Sequence, residues 1–319
     1  MPEHLARAVL EGPQPGELLQ RVIAAISESA LTQGKVAKEA GLSPAALNQW
    51  LQGKYKGDNA ELENKLEKWL SARKRRGEAV KTMPEKGAYI ATPTGERIQA
   101  AMNISQALAD LLVVFGGAGV GKTISLKHFA TVSPNVWIAT MRPDTAGVAA
   151  CLEEIGEAMG VKLPARAARM SRELSSRMEG TGGLLVIDEA QHMSISAVEA
   201  VRSIYDRAEI GLVLCGNESV YARLTGGSRA ATFAQIFSRI GKRLRLSMPT
   251  AGDVAALADA YGITGKEERQ ALTEISQKPG ALRAVIKTIN FASIMAAGNG
   301  GTINYHYISA AWKELGGDA

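Results

Sequence analysis

The middle of the chain alternates between short apolar runs and longer segments with helical spacing. Residues 111–115, 136–140, 184–187 and 211–216 are nearly continuous apolar runs. Short runs of this kind are typical of strands that are covered on both faces of a sheet. The segments between them, such as residues 146–159, have the periodicity of helices. The pattern predicts an α/β domain built on a parallel sheet.

The chain on either side of this region has helical patterns. Residues 17–70 indicate a compact helical module. From Ala251 onward, four more helices are predicted, with Pro279 just inside the start of the third. Their predicted ranges are 253–261, 266–277, 279–297 and 305–315.

A change in composition separates the N-terminal module from the α/β region. The basic run at residues 73–76 is followed by a stretch with several glycines and prolines, which favours a flexible linker. The basic run is either a solvated helix end or a phosphate-contacting patch. The predicted organisation is an extension (1–16), a helix-turn-helix domain (17–72), a linker (73–95), a P-loop core (96–249) and a helical C-terminal lid (250–319).

Composition restricts the class of protein. The 319 residues carry a net charge of +5 and are 46% hydrophobic, which permits a real core and a nucleic-acid partner. No apolar run is long enough to cross a bilayer, and the first residues lack a signal-peptide pattern. The two cysteines, Cys151 and Cys215, fall in apolar surroundings and are expected to be buried thiols. We expect a cytoplasmic protein.

A glycine-rich turn follows the first apolar run. Residues 116–123 spell G-G-A-G-V-G-K-T, and a helical pattern follows them. Glycines let the backbone curl so that successive N–H groups point at phosphate oxygens. Lys122 is expected to reach the β- and γ-phosphates, and Thr123 to place its hydroxyl on Mg²⁺. The ATP-binding candidates are Gly116, Gly117, Ala118, Gly119, Val120, Gly121, Lys122 and Thr123.

Polar residues end two later apolar runs. Asp188 and Glu189 follow one, and Asn217 follows another. Ligands of parallel sheets bind at the carboxyl ends of the strands, where these three side chains are expected. Asp188 is placed to hold Mg²⁺ beside Thr123 and Glu189 to polarise the attacking water. Asn217 is placed to orient that water or sense the γ-phosphate.

Three arginines are further candidates for the same site. Arg239 and Arg243 are predicted on a helix end before the strand at residues 243–246. Oligomeric ATPases supply such an arginine to the γ-phosphate of a neighbouring subunit, with Arg239 the first choice here and Arg243 the second. Surface arginines are the alternative. Arg283, near the start of the third lid helix, would project towards the nucleotide.

Residues 33–51 match a helix-turn-helix. Ala37 is small where two helices cross, and Gly41 occupies a turn that needs a positive φ. Ser43 is placed to cap the second helix, with Pro44 at its first position. A helical hairpin that contacts only protein has the same pattern. If the module binds DNA, the candidates for contacts are Gln33, Ala45, Asn48 and Gln49.

Together these motifs resemble the AAA+ class of P-loop ATPases, and within it the Mu B family of phage transposition proteins. The segments that carry the closer resemblance follow one another along nearly the whole chain. They are residues 54–59, 135–137, 187–190, 211–217, 225–227, 237–243 and 275–283.

The resemblance implies an ATP-dependent helical filament on double-stranded DNA with little sequence preference. It also implies a DDE transposase as partner, which receives the captured target and stimulates hydrolysis and release. In the family, the region matching Arg166, Arg169 and Arg172 faces DNA, although the family's tight basic triplet is absent here. Two further departures are the segment before Leu18 and the pair Gln191-His192, where the family tends to have another acid.

Two other functions share parts of this pattern. A helicase loader or replication initiator would share the ATPase core. A nucleotide-gated transcription regulator would use the helix-turn-helix to bind an operator, with a large preference for one site.

Overall fold

The structure is a computed structural model that describes residues 16–28, 31–80, 89–225, 240–298 and 302–317. The chain divides into two compact units, Met1–Met83 and Pro84–Ala319. Within the described ranges, no helix is both long enough and apolar enough to cross a membrane.

The described part of the first unit consists of helices. They are α1 (Glu17–Glu28), α2 (Gln33–Ala40), α3 (Pro44–Leu51) and α4 (Asn59–Val80). The Ser43 hydroxyl accepts a hydrogen bond from the Ala46 N–H, Pro44 opens α3, and Gly41 has a φ of +67° between α2 and α3. These local features are as predicted. Residues 73–80 belong to α4, so the beginning of the predicted linker is helical.

Two indole hydrogen bonds join α4 to the preceding helices. Trp50 Nε1 donates to Glu63 at 3.2 Å, and Trp69 Nε1 donates to Glu39 at 3.0 Å. Apolar side chains from all four helices fill the space between them, with Val22, Val36, Leu47 and Leu66 fully buried.

The second unit contains a five-stranded sheet. Its strands are β1 (Leu111–Gly116), β2 (Val136–Thr140), β3 (Leu184–Asp188), β4 (Gly211–Gly216) and β5 (Ile240–Leu246). Their order is β2-β3-β4-β1-β5, and each neighbouring pair is parallel. The predicted parallel sheet is therefore confirmed. Because all the strands are parallel, their carboxyl ends meet at one edge of the sheet.

Helices cover both faces of this sheet. They are α5 (Pro93–Leu108), α6 (Lys122–Val132), α7 (Val148–Ala158), α8 (Ala167–Met178), α9 (Ile195–Ala208) and α10 (Glu218–Thr225). Successive β1 side chains point to opposite faces, as the two-residue repeat of a strand requires. Leu111 and Val113 share a core with α7, α8 and α9, whereas Leu112 and Val114 share one with α5 and α6.

Four further helices follow β5 in the residues that the structure describes. They are α11 (Ala251–Ala260), α12 (Lys266–Ser276), α13 (Ala281–Gly298) and α14 (Tyr305–Glu314), and they enclose an apolar core of their own. The prediction that Pro279 lies inside the third of them was wrong. A left-handed residue, Gly280 with a φ of +100°, stands between Pro279 and the start of α13. The turn at Gly280 sets the first residue of the helix.

A buried carboxylate connects α11 to the start of α5. Asp253 is fully buried and accepts four hydrogen bonds of 2.7–2.8 Å, from the backbone N–H and hydroxyl of both Thr94 and Thr250. Burial by itself raises the pKa of the Asp253 carboxyl, but these donors outweigh that effect and hold the pKa below its usual value. The folded structure therefore favours the ionised form of Asp253.

We expect the substitution Asp253→Asn to destabilise the second unit by about 2–4 kcal/mol, because an amide brings two donors into a site built from donors. Urea unfolding at neutral pH measures the change. The folded-state pKa lies below the unfolded one. The stabilisation is therefore present above about pH 4 and is lost as the pH falls through the folded value.

Asp259→Asn on the same helix is the matched control for Asp253→Asn. Asp259 is 65% exposed and forms a surface ion pair with Arg269, so its loss should cost less than about 1 kcal/mol. Equal destabilisation by the two variants would contradict the role assigned to Asp253.

Candidate functional site

The glycine-rich loop lies between β1 and α6, at the carboxyl edge of the sheet. Gly119 and Gly121 have φ values of +82° and +95°, which side-chain-bearing residues rarely adopt. Lys122 Nζ donates to the carbonyl oxygens of Gly116 at 2.8 Å and Gly117 at 2.6 Å. The loop therefore curls around the ammonium group that is expected to meet phosphates.

A hydroxyl and a carboxylate meet beside this loop. Thr123 Oγ1 donates to Asp188 Oδ2 at 2.8 Å, and the other oxygen of Asp188 accepts from the Glu189 N–H at 3.0 Å. Asp188 is 1% exposed at the end of β3. Two oxygen donors next to a phosphate-binding loop are the ligand type that Mg²⁺ prefers. The residues present thus fit ATP together with Mg²⁺.

The two cysteines are buried, as predicted. Burial raises the pKa of the Cys151 thiol to about 12, and burial together with the nearby Asp188 carboxylate raises the pKa of Cys215 well above its usual value. Both side chains are therefore protonated thiols at neutral pH.

Asn217 follows β4, the strand that lies between β1 and β3. The sequence predicted Asn217 at the carboxyl edge of the sheet, and the order of strands puts it between the glycine-rich loop and the pair Asp188 and Glu189. Asn217 Oδ1 accepts from the Ser219 N–H at 2.9 Å and from its hydroxyl at 2.6 Å. This contact fixes the orientation of the Asn217 amide at the start of α10.

Gln191 also lies at this edge, although the sequence marked it only as a departure from the family. Its Nε2 donates to Glu189 Oε2, and its Oε1 accepts from the Asn217 N–H at 3.3 Å. Glu189 has a φ of +53°, and this left-handed residue begins the short 3₁₀ turn Ala190–His192 that carries Gln191. Nearness along the chain could not predict this contact, because Gln191 and Asn217 are 26 residues apart.

Two segments touch the glycine-rich loop. One is the end of β5, which precedes α11, and the other is the turn between α12 and α13. A Cβ added to Gly119 would overlap the carbonyl oxygen of Gly280, and one added to Gly116 would overlap that of Leu246. Arg283 follows in the first turn of α13, where its N–H donates to the Gly280 carbonyl at 3.0 Å and its side chain is exposed. The structure thus places Arg283 on the helix whose start covers the loop.

The structure describes one of the two arginines that were predicted to reach a neighbouring subunit. Arg239 lies outside the described residues. Arg243 is not on a helix end as predicted, because β5 begins at Ile240 and Arg243 pairs with Val113 in mid-strand. Arg245 lies nearer the carboxyl edge, opposite Phe115, and pairs with Glu218 at 3.2 Å.

The candidates for DNA contacts lie on helix surfaces. Arg166, Arg169 and Arg172 are exposed along the start of α8, whose opposite face is buried through Met170 and Leu174. Nearby Arg177 forms an ion pair with Glu173 at 2.6 Å. In the first unit, the α3 residues Ala45, Asn48 and Gln49 are exposed, and Gln33 is half-buried at the start of α2.

Comparison with known proteins identifies the family. The model "Mu B transposition protein, C terminal" matches residues 238–315, and an AAA domain model matches residues 106–224. The ATP-dependent target DNA activator B of Escherichia phage Mu is 38% identical over 282 residues, which cover 88% of this chain and 89% of that protein. This chain belongs to the Mu B transposition protein family. The resemblance seen in the sequence is confirmed.

Other relatives and solved structures agree with this assignment. The Mu-like prophage FluMu DNA transposition protein B of Haemophilus influenzae is 34% identical over 274 residues, covering 85% of this Mu B family chain and 94% of that protein. The Aeropyrum pernix ORC2 structure superposes with a TM-score of 0.55 at 17% identity, covering 74% of this chain and 71% of that one. The structure of Drosophila ORC bound to DNA superposes with a TM-score of 0.52 at 13% identity, covering 77% of this chain and 66% of that one.

Identities this low show the fold alone, and that fold is the predicted AAA+ P-loop architecture. With its AAA domain and its ATP-dependent relatives, this Mu B family protein is an ATPase.

We expect Gly119→Ala to loosen α13 from the glycine-rich loop, since the new methyl group would meet the Gly280 carbonyl and the left-handed backbone would be strained. Hydrogen–deuterium exchange of the nucleotide-free protein should rise over the first turns of α13. The matched control is Gly117→Ala, because no atom lies within 4 Å of its added Cβ. Equal exchange in the two variants would show that the Gly280 contact does not hold the helix.

Proposed function

We propose that this ATPase assembles on target DNA without strong sequence preference, delivers that DNA to a DDE transposase and uses ATP hydrolysis to control release. The observation that supports it most is the family itself, since relatives aligned over most of the chain are named ATP-dependent target DNA activators. The contact of the helical lid with the phosphate loop supports coupling between nucleotide and assembly.

The proposed hydrolysis uses side chains from three neighbouring strand ends. Lys122 binds the β- and γ-phosphates and would exchange its two loop carbonyls for phosphate oxygens. Thr123 and Asp188 hold Mg²⁺, which supplies charge neutralisation on the phosphates when bound. Glu189 accepts a proton from the attacking water.

Two further groups complete the proposed nucleotide site. The Asn217 amide orients the same water or senses the γ-phosphate, since Ser219 fixes its carbonyl oxygen. Arg283 approaches the phosphates from the lid. We propose Arg239 of one subunit as the group that stabilises charge on the γ-phosphate of the next, with Arg243, in the middle of β5, as the second choice.

DNA contacts are proposed on both units. The exposed arginines of α8 would neutralise phosphates, which gives affinity without sequence preference. Ala45, Asn48 and Gln49 on α3 would face the bases or backbone of a groove.

Binding to random-sequence duplex DNA tests this proposal. A filament-forming activator should bind any duplex, more tightly with ATP than without, and should lose affinity steeply as salt rises. Electron microscopy of the same mixture should show protein-covered DNA. A preference for one palindromic site by a factor of about 10³ or more would favour a transcription regulator. Capture of a replicative helicase would favour a loader.

Glu189→Gln should bind ATP like the parent but hydrolyse it about a hundredfold more slowly or worse, because an amide does not accept the proton from water. Protein–DNA assemblies formed with ATP should then persist. Single-turnover hydrolysis and the dissociation rate of labelled DNA measure the two effects. Release at the parental rate in ATP would rule out Glu189 as the general base.

The double substitution Arg166→Ala, Arg169→Ala should flatten the slope of log affinity against log salt by about two, since each lost phosphate contact removes about 0.9. Arg177→Ala is the matched control on the same helix, because Glu173 already neutralises that guanidinium. An unchanged slope in the double variant would exclude Arg166 and Arg169 as phosphate contacts.

A further inference from the structure

Gln191 occupies a position where two strand ends can be linked by one side chain. The left-handed backbone at Glu189 turns the chain out of β3, and the His192 N–H closes the turn on the Glu189 carbonyl at 3.0 Å. This turn directs the Gln191 side chain towards the adjacent strand β4. The direction is set by tertiary contact, since β3 and β4 are separated by the whole of α9 along the chain.

Both ends of the Gln191 amide are used at this position. The NH₂ group donates to the carboxylate of Glu189, and the carbonyl oxygen accepts from the Asn217 backbone N–H at 3.3 Å. A single planar amide therefore connects Glu189, the proposed general base that follows β3, to the backbone at the end of β4. Because an amide is rigid, the position of the Glu189 carboxylate depends on that of Asn217.

Gly216 makes room for this connection. A Cβ added to Gly216 would overlap Gln191 Oε1, and it would also crowd the Val220 methyl group at 2.5 Å. Gly216 does not have the positive φ that favours glycine at other positions of the chain. The lack of a side chain at the end of β4 therefore leaves room for both the Gln191 amide and the Val220 methyl group.

We propose that Gln191 is a positioning residue for ATP hydrolysis, which holds the Glu189 carboxylate at the end of β4 beside Asn217. This inference rests on the proposed role of Glu189. A glutamate side chain has several rotatable bonds, and a misplacement of about 1 Å can cost roughly a hundredfold in rate. The link also means that a shift of Asn217 towards a γ-phosphate would carry Glu189 with it.

Contacts that do not involve the Gln191 side chain also hold the turn. Ala190 and Met193 are buried, the Met193 N–H donates to the Ala190 carbonyl at 3.2 Å, and the Ser194 N–H donates to the Ala146 carbonyl at 2.8 Å. Substitution of Gln191 should therefore leave the turn in place. The effect of the side chain can then be measured on the reaction itself.

Two nearly isosteric variants separate the two hydrogen bonds. Gln191→Met keeps the shape and removes both bonds. Gln191→Glu keeps an acceptor for the Asn217 N–H but cannot donate to Glu189 and sets a second carboxylate beside it. Hydrolysis of ATP is measured with duplex DNA present, together with KM and the affinity for a fluorescent ATP analogue.

We expect both variants to lower kcat by about ten- to a hundredfold, with KM and analogue affinity within about twofold of the parent. The fall should be at least as large for Gln191→Glu as for Gln191→Met. Gly216→Ala should lower kcat in the same way, because its methyl group displaces the amide. His192→Ala, in the same turn, is the control and should keep the parental kcat.

Four outcomes would overturn this role for Gln191. The first is a parental kcat in Gln191→Met, and the second is a kcat above the parental value in either variant. The third is a Gln191→Glu variant as active as the parent. The fourth is a loss of ATP affinity that accounts for the whole fall in hydrolysis.

The Glu189→Gln variant distinguishes this inference from the function on which it rests. In a Glu189→Gln background, Gln191→Met should have no further effect on kcat, since the carboxylate that it positions is gone. A further fall in the double variant would show that Gln191 acts on something else, with the role of Glu189 intact. Parental hydrolysis by Glu189→Gln alone would instead overturn both assignments.

Discussion

The parallel arrangement of the five strands is the constraint on which the rest of this protein depends. Parallel strands bring all their carboxyl ends to one edge, and the order β2-β3-β4-β1-β5 places β4 between the strands that carry the glycine-rich loop and the acidic pair. Residues separated by 65 positions, Thr123 and Asp188, thereby come within 2.8 Å of each other. A strand order that moved β4 away from β1 and β3 would leave Asn217 outside this group.

Backbone contacts then attach the helical lid to the same edge. The carbonyl oxygens of Leu246 and Gly280 approach Gly116 and Gly119 so closely that only glycine leaves room for them. The Asp253 carboxylate, in the first turn of α11, also joins that helix to Thr94 at the start of α5. A nucleotide in the loop would thus meet a lid whose position is determined by its packing against that loop.

Local signals predicted most of the fold correctly because they depend on few neighbours. The cap at Ser43, the positive φ at Gly41 and the apolar runs of β1 to β4 are each decided within a few residues. The errors arose where the pattern was ambiguous at an element's end. Arg243 was assigned to a helix end although β5 begins three residues before it, and Pro279 was placed inside a helix that starts only after the turn at Gly280.

The sequence by itself determined the glycine-rich loop, the acidic pair at the end of β3 and the parallel sheet, because glycine conformation, residue chemistry and hydrophobic periodicity act through short stretches of chain. The tertiary structure alone decided which distant groups touch. The bridge from Glu189 through Gln191 to Asn217, the contact of Gly280 with Gly119 and the two hydrogen bonds from Thr94 to Asp253 join segments far apart in sequence. Such contacts follow from the order of strands and the packing of helices, and no local pattern of residues encodes them.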